Sequence, residues 1–155
     1  MANEVRGIMI PVTNKKRVLL PNAIIAEVVS NSEIHVVDGT SDWFLGNINW
    51  RGYEVPVISY ETLSTGSNAE LGKNIRVAVI KSLGNIETMP YFAMLVNGVP
   101  RLQLVTQGDL QVHEGESNDS NAIASKVTIQ DEMSEIPNIR FIEHVLDQLL
   151  HQKAS

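Results

Sequence analysis

Apolar residues in this sequence recur in short runs, and turn-forming residues separate one run from the next. Runs of this length, rich in Val and Ile, are typical of β-strands. The nine runs that we predict as strands cover residues 5–13, 17–20, 23–30, 47–50, 53–60, 75–83, 91–96, 101–106 and 126–130. A shorter extended run covers residues 109–113.

Two stretches near the middle of the chain depart from the strand pattern. Ser41 and Asp42 precede the apolar residues 43–45, an arrangement that predicts a short helical turn ended by Gly46. Residues 61–74 are rich in Ser, Thr, Gly and Asn, so we predict a loop there.

Two local signals shape the second half. The Asn97-Gly98 pair lies between two apolar runs and predicts a β-hairpin, because both residue types tolerate positive φ. Near the C-terminus the period becomes helical, with apolar residues at Ile139, Ile142, Val145, Leu146, Leu149 and Leu150. This pattern predicts an amphipathic helix that packs on the body or binds a partner. Many short strands and one terminal helix indicate an all-β barrel or sandwich with a C-terminal helix.

The composition excludes several classes of protein. The chain has 155 residues, a net charge of −6 and no cysteine, which excludes disulfides, thiol catalysis and thiolate metal sites. Nucleic-acid binders usually carry a basic surface, whereas the compact basic cluster at residues 15–17 is typical of a solvated turn. No run of about 18 apolar residues occurs and no secretory leader is evident, so we expect a cytoplasmic protein.

No arrangement of residues specifies a catalytic or metal site. His144 and His151 lie seven residues apart on the predicted helix, whereas helical metal ligands prefer a spacing of three or four. Residues 66–73 approach a phosphate-binding loop but have the wrong glycine spacing. The acidic residues at 131–135 predict a solvated turn, although an acid–base pair in a cleft has the same composition. We therefore expect no enzyme activity, no metal and no cofactor.

One stretch of the chain carries a distinctive order of motifs. Glu27-Val28 lies in a predicted strand, Gly46-Asn47-Ile48-Asn49-Trp50-Arg51-Gly52 follows, and Val55-Pro56-Val57-Ile58 ends the series. This order resembles the CheW family, in which a Glu-Val or Glu-Ile pair precedes Gly-x-x-Asn-Leu-Arg-Gly and Val-Pro-Val-Ile. The resemblance is specific over residues 17–63 and looser over the second half.

The resemblance implies an all-β fold of two five-stranded SH3-like β-barrel subdomains packed on a shared hydrophobic core, with a C-terminal helix. We assign subdomain one to about residues 14–74, subdomain two to about 75–137 with the N-terminal strand shared, and the helix to 138–152. The family pattern also implies a non-catalytic scaffold that couples chemoreceptors to a chemotaxis-type histidine kinase. Overall likeness further suggests the accessory adaptors of systems that control type IV pili and twitching motility.

Two sets of contact residues follow from the family pattern by position. The set that would face the cytoplasmic tip of a methyl-accepting chemoreceptor comprises Glu27, Gly46, Asn49, Trp50, Arg51 and Gly52. The set that would face the regulatory domain of the kinase comprises Ile25, Val96, Val99 and Leu102. The family implies no nucleic-acid partner and no membrane insertion.

The central pair of the first set has a plain physical logic. Arg51 at a turn can present a planar fork of donors to the Glu27 carboxylate. An exposed pair of this kind contributes about 0–1 kcal/mol, so it is either a local structural ion pair or part of a docking face. Trp50 stands where the family commonly has Leu, and it is either an interface anchor or a core residue.

Two other functions stay open on the sequence. A small β-barrel enzyme or ligand-binding domain would have a deep polar pocket with a perturbed titratable pair. A CheW-like fold could also serve a different signalling partner, and the residues do not separate that function from the first.

Overall fold

The structure is a computed structural model that describes residues 4–13, 15–30, 33–37, 41–68, 75–84, 87–106, 108–113 and 121–154. The strands in these residues are β1 (Glu4–Pro11), β2 (Arg17–Pro21), β3 (Ile25–Val29), β4 (Phe44–Trp50), β5 (Tyr53–Ile58), β6 (Arg76–Lys81), β7 (Tyr91–Val96), β8 (Arg101–Thr106), β9 (Leu110–Val112), β10 (Ile123–Ile129) and β11 (Glu132–Pro137). The α-helices are α1 (Tyr60–Thr65) and α2 (Ile139–Ala154), and a 3₁₀ turn covers Asn22–Ile24. The predicted C-terminal helix is confirmed.

The strands form two mixed sheets. A six-stranded sheet has the order β8-β1-β2-β11-β10-β9, and a five-stranded sheet has the order β3-β6-β7-β5-β4. Pairing is antiparallel except between β11 and β2 and between β5 and β7. The fold is therefore mostly β with a C-terminal helix, as predicted, although one sheet has six strands where five were expected.

Strand pairing crosses the boundary near residue 74 that the sequence analysis places between two subdomains. β6 and β7 follow that boundary in sequence, yet they pair with β3 and β5, which precede it. β2 precedes the boundary and pairs with β11, which follows it. The two sheets are therefore interleaved along the chain. Their parallel neighbours are distant in sequence, since a short hairpin cannot join parallel strands.

The main core lies where both sheets meet α2. Its largest fully buried side chains come from all three layers and include Ile10, Leu20, Tyr60, Ile80, Phe92, Ile142 and Leu146. The five-stranded sheet has a second cluster, made of Ile48, Trp50, Val55, Val57, Val77, Val79 and Ala93. A third, smaller cluster in the six-stranded sheet contains Met9, Leu19 and Ile129. Apolar surface removed from water stabilises the fold by about 25 cal/mol per Å².

The predicted helical turn over residues 43–45 is wrong. β4 begins at Phe44, which pairs with Ile58 of β5. Only a tight turn precedes it, in which the Phe44 N–H donates to the Ser41 carbonyl at 3.1 Å. The register shifts between Phe44 and Gly46, so a β-bulge occupies the place where the sequence suggested the end of a helix.

The predicted loop over residues 61–74 is wrong in its first part, where α1 lies. The Ser59 side chain accepts the Thr62 N–H at 3.2 Å and caps the helix start. Gly66, at φ 82°, ends the helix in the left-handed conformation that glycine adopts readily. The helix is only one and a half turns long and largely polar, so it carries no helical apolar period. Residues 69–74 lie outside the described residues.

The predicted hairpin at Asn97-Gly98 is also wrong. The strands on either side, β7 and β8, belong to different sheets. The Asn97 N–H donates to the Pro11 carbonyl at 2.8 Å, and Gly98 has a φ of 122°. The Asn-Gly pair therefore turns the chain from one sheet to the other.

The predicted acidic turn at residues 131–135 is in fact a hairpin turn followed by a strand. Gln130 and Asp131 have φ values of 49° and 67°, and two successive positive φ values are the requirement of a type I′ hairpin turn. β11 then pairs with β10 from Glu132 onwards. The turn lacks glycine, and for this reason the sequence did not reveal it.

Candidate functional site

The structure brings Glu27 and Arg51 together at one end of the five-stranded sheet. Glu27 Oε1 accepts the Arg51 Nη2 hydrogen at 3.1 Å and the Trp50 Nε1 hydrogen at 3.0 Å. The Arg51 guanidinium lies 4.9 Å from the centre of the Trp50 ring, in a cation–π arrangement. One carboxylate oxygen and one ring therefore fix the direction of the arginine.

Local backbone geometry explains how these side chains meet. Arg51 and Gly52 have φ values of 49° and 83°, which make the tight turn between β4 and β5. Glu27 lies on β3 next to a register shift in its pairing with β6. A bulge re-aims a side chain, and here the re-aimed side chain is the carboxylate that the turn residues bind.

The ion pair itself contributes little to folding. The Arg51 side chain is 68% exposed and the Glu27 side chain 42% exposed. Exposed pairs of this kind stabilise by about 0–1 kcal/mol, since water screens both charges. Trp50 is different, because it is buried and belongs to the apolar cluster of the five-stranded sheet. Of the two interpretations of Trp50, packing is the one that its burial supports, with a polar edge turned towards Glu27.

The remaining members of the receptor-side set take different positions. Gly46 is buried in the bulge at φ 133°, and a Cβ there would collide with the His35 carbonyl. That carbonyl accepts the Asn47 N–H at 3.0 Å, so the close approach is part of a backbone bridge. Gly52 has open space around it, and Asn49 is exposed opposite Glu54. Gly46 therefore shapes the site from below, whereas Asn49 and Gly52 lie on its surface.

Two aromatic residues that the sequence analysis did not single out complete this surface. Tyr91 lies 4.9 Å from Trp50 and 5.0 Å from Tyr53, measured between ring centres, in edge-to-face contacts. Tyr53 is 45% exposed. The hairpin register, which places Tyr53 opposite Trp50, could have revealed Tyr53. We call Glu27, Trp50, Arg51, Tyr53 and Tyr91 together the Trp50 corner.

The kinase-side set does not form one cluster. Ile25 lies on β3 and is half-buried against the main core. Val96 is 5% exposed and belongs to that core, so it can only support a surface from beneath. Val99 and Leu102 are 75% and 59% exposed. Leu102 lies on β8 of the six-stranded sheet, and Val99 precedes that strand.

A shallow groove of about 290 Å³ lies beside Val99. It is lined by Met9, Pro11, Thr13, Arg17, Asn97, Gly98, Val99 and Arg101. Both arginines contact Glu132, with 3.9 Å between Arg17 Nη1 and Glu132 Oε2.

A polar cluster joins α1 to the six-stranded sheet. The Tyr60 hydroxyl donates to Glu135 Oε1 at 2.7 Å, and Lys16 Nζ lies 2.9 Å from Glu61 and 3.8 Å from Glu135. Burial raises the pKa of Tyr60 far above its ordinary value, and the hydrogen bond to Glu135 adds to this shift. The phenol therefore stays neutral and links α1 to β11 of the six-stranded sheet.

The candidate catalytic and metal residues are not brought together in the described part of the chain. Glu132 and Glu135 are three residues apart on a strand, so they point to opposite faces. No group of three potential metal ligands occurs among the described residues, and the side chain of His151 lies outside them. Gly66 of the phosphate-loop candidate ends α1 instead. No described helix is long and apolar enough to cross a membrane.

Comparisons with known proteins bear on the family and the fold of this chain. A crystal structure described as the scaffolding protein TtCheW from Thermoanaerobacter tengcongensis superposes with a TM-score of 0.73, covering 89% of this chain and 92% of that one at 19% sequence identity. A search of curated proteins found no match. The family model of the CheW-like domain matches residues 6–144. Since that match spans most of the sequence, the chain belongs to the CheW-like domain family.

Proposed function

We propose that this protein is a non-catalytic scaffold of chemotaxis signalling that couples chemoreceptors to a chemotaxis-type histidine kinase. Membership in the CheW-like domain family supports the scaffold role, as does the likeness to a structure described as a scaffolding protein. In this proposal one surface binds the cytoplasmic tip of a methyl-accepting chemoreceptor. A second surface binds the regulatory domain of the kinase. The proposal also includes the fold detail that each sheet curves as an SH3-like barrel.

The observation that carries the proposal is the geometry of the Trp50 corner. Arg51 is held by Glu27 and Trp50 with most of its side chain in water. Both donors to Glu27 share Oε1, and no described residue donates to the other oxygen. The corner thus offers a fixed guanidinium, a carboxylate oxygen with room for a donor, and the exposed ring of Tyr53. Rigid aromatic and arginine groups of this kind are the usual anchors of protein interfaces.

The second surface in the proposal contains Val99 and Leu102, supported by the buried Val96, with Ile25 as a separate contact on β3. Val99 and Leu102 are large apolar side chains that stay exposed, and Val99 lines the groove. Exposed apolar groups concentrated in one region mark interaction sites more often than isolated ones do. Leu102 lies on the six-stranded sheet and the Trp50 corner on the five-stranded sheet, which leaves separate surfaces for two partners.

Direct binding to each partner tests the proposal. Arg51→Asp should abolish binding to a receptor tip fragment while leaving kinase binding intact, because it reverses the charge that Glu27 orients. Leu102→Asp should do the opposite. Arg140→Asp and Met133→Asp are matched controls, since both residues are exposed and lie outside the two surfaces. Wild-type protein that is folded yet binds neither partner at tens of micromolar would contradict the proposal.

The motor output is a separate part of the proposal. A scaffold of this kind could serve flagellar rotation or the type IV pilus and twitching motility, and both use the same two surfaces. A deletion strain assayed for swimming and for twitching separates them. Loss of twitching alone would assign the protein to the pilus system, whereas loss of swimming alone would rule out a role in pilus motility. Unchanged behaviour in both assays, with binding to a non-kinase protein, would instead support a different signalling partner.

A further inference from the structure

We propose that β8 is a pairing strand through which two copies of this chain associate, β8 against β8, antiparallel about a two-fold axis at Gln103. In the described part of the chain β8 is the outer strand of the six-stranded sheet and pairs on one side only, with β1. An unpaired edge is a template for another strand. This inference goes beyond the proposed function, because the partner is a second copy of the chain, although Leu102 also belongs to the proposed kinase-binding surface.

The β8 edge, which we define as Leu102, Gln103 and Leu104, exposes two large apolar side chains. Leu102 is 59% exposed and Leu104 is 43% exposed. The two lie on the same face of the sheet, since they are two residues apart on one strand. Leu102 is opposite Ile8, and Ile8 is opposite Leu20 of the main core. A row of apolar side chains therefore runs from the core to the sheet edge and ends in solvent.

The register makes this edge complementary to itself. With Gln103 on the axis, Leu102 lies opposite Leu104 of the second copy, and Leu104 lies opposite its Leu102. The apolar row then continues across the axis into the second copy, from its Leu104 to its Arg6, which pairs with Leu104 on β1. The aliphatic part of the arginine side chain can cover a leucine. Arg101 falls opposite Val105, so no like charges face each other directly.

The backbone supports the same register. The Leu104 carbonyl oxygen accepts the Gln103 side-chain amide at 3.2 Å, a contact that is exposed at the surface. This oxygen is therefore open to donors other than β1. In a strand, the N–H and C=O of one residue point towards the same neighbouring strand, and residues two apart point in the same direction. The N–H and C=O groups of both Leu102 and Leu104 therefore point away from β1. In the proposed register these two residues form hydrogen-bonded pairs that flank a non-hydrogen-bonded pair at Gln103.

Size and charge set the strength of the association. A short strand pair buries less than the roughly 1,200 Å² at which stable interfaces begin. Each copy also carries a net charge of −6, so the copies repel at long range. Salt screens that repulsion but leaves apolar contacts intact. We therefore expect a weak dimer that becomes stronger as the salt concentration rises.

Cysteine cross-linking tests the pairing and its register together. The natural chain has no cysteine, so each variant carries a single thiol. Non-hydrogen-bonded antiparallel pairs bring Cβ atoms into disulfide range, so Gln103→Cys should form a covalent dimer under mild oxidation. Proximity on the axis should make this at least about tenfold faster than for Arg101→Cys or for the exposed control Met133→Cys.

Charge variants supply the second measurement, sedimentation velocity of the full chain. Leu102→Lys with Leu104→Lys should be monomeric, and so should the matching pair of glutamate substitutions, because like charges then face each other. An equimolar mixture of the two should restore the dimer. Met133→Lys should sediment as the wild type does. The proposal is overturned if the wild type stays monomeric at every salt concentration, or if Gln103→Cys cross-links no faster than Met133→Cys.

Discussion

The Trp50 corner and the β8 edge are both exposed regions at the margin of a sheet, yet they are built in different ways. In the corner, side chains hold one another: two donors bind one oxygen of Glu27, and Tyr91 packs edge to face against Trp50 and Tyr53. At the β8 edge, side chains make few contacts, and its backbone and register define the surface. A corner of this kind can select a partner by chemistry, whereas an edge selects by strand direction and spacing.

The largest effect on stability is expected from a substitution in the apolar cluster beneath the Trp50 corner, because it should unfold the protein and so abolish both regions. Val57 is fully buried in the cluster beneath the Trp50 corner. Val57→Asp places an unpaired carboxylate there, which should cost more than about 4 kcal/mol and unfold the protein. Circular dichroism during thermal unfolding measures the change. Val36→Asp makes the same substitution at a residue that is 67% exposed and should leave the melting temperature nearly unchanged.

A second experiment separates steric contact from backbone strain within β4 and its turn. Gly46→Ala should destabilise by about 2–4 kcal/mol, because the new Cβ meets the His35 carbonyl and the φ of 133° is strained for alanine. Gly52→Ala also requires a positive φ but meets open space, so its cost should be only about 1 kcal/mol. Urea unfolding gives both values. Equal losses of unfolding free energy in the two variants would show that the backbone at His35 moves away from the new Cβ at no energetic cost.

The polar cluster at the junction of the sheets gives a pH test. Tyr60→Phe removes the hydroxyl that donates to Glu135 and should cost about 1–2 kcal/mol at pH 7. The raised pKa of Tyr60 means that the folded protein keeps this proton at alkaline pH. Above the ordinary tyrosine pKa of about 10 the unfolded chain releases it, so the wild-type free energy of unfolding falls by up to about 1.4 kcal/mol per pH unit.

The Phe variant lacks that additional alkaline loss. The difference in unfolding free energy between wild type and Tyr60→Phe should therefore be constant below about pH 10 and shrink above it. Chemical unfolding measured from pH 7 to pH 11 determines this difference. A difference that stays constant or grows above about pH 10 would mean that Tyr60 ionises in the folded protein as readily as in the unfolded chain.

The substitution with the smallest expected effect on stability gives the clearest separation between the Trp50 corner and the β8 edge. Arg51→Ala should change the free energy of unfolding by only about 0–1 kcal/mol, since the pair with Glu27 is largely exposed. The same variant should lose receptor binding but still form the β8 dimer. Leu104→Lys should lose the dimer and keep receptor binding. If either variant lost both properties, the two regions would not be independent.

The Trp50 corner was predictable from sequence to the extent that its parts are local. The turn residues Asn49 to Gly52 form a short motif, and Glu27 precedes them in a fixed order. Tyr91 was not predictable, because it reaches the corner on β7, through pairing between strands distant in sequence. The motif located the pair but did not reveal the third ring that packs against Trp50.

Local signals misled the prediction wherever distant pairing decided the structure. Asn97-Gly98 satisfies the rule for a hairpin, but β7 and β8 have better partners elsewhere, in β6 and β1. Residues 43–45 carry a helix-start signal that the ladder with β5 overrides. Most of the strands and the C-terminal helix were predictable because alternation and helical period are properties of each segment alone, whereas β11 was missed.

The interleaved sheets also determine the order in which the protein can be completed during synthesis. Every strand of the five-stranded sheet has been made once residue 96 is translated, whereas the six-stranded sheet needs β11, which ends at Pro137. β1 and β2 are synthesised before β8 and β11, so their sheet is complete only after these later strands have been made. Contacts between distant segments slow folding. We therefore expect completion of the six-stranded sheet to be the slower of the two steps.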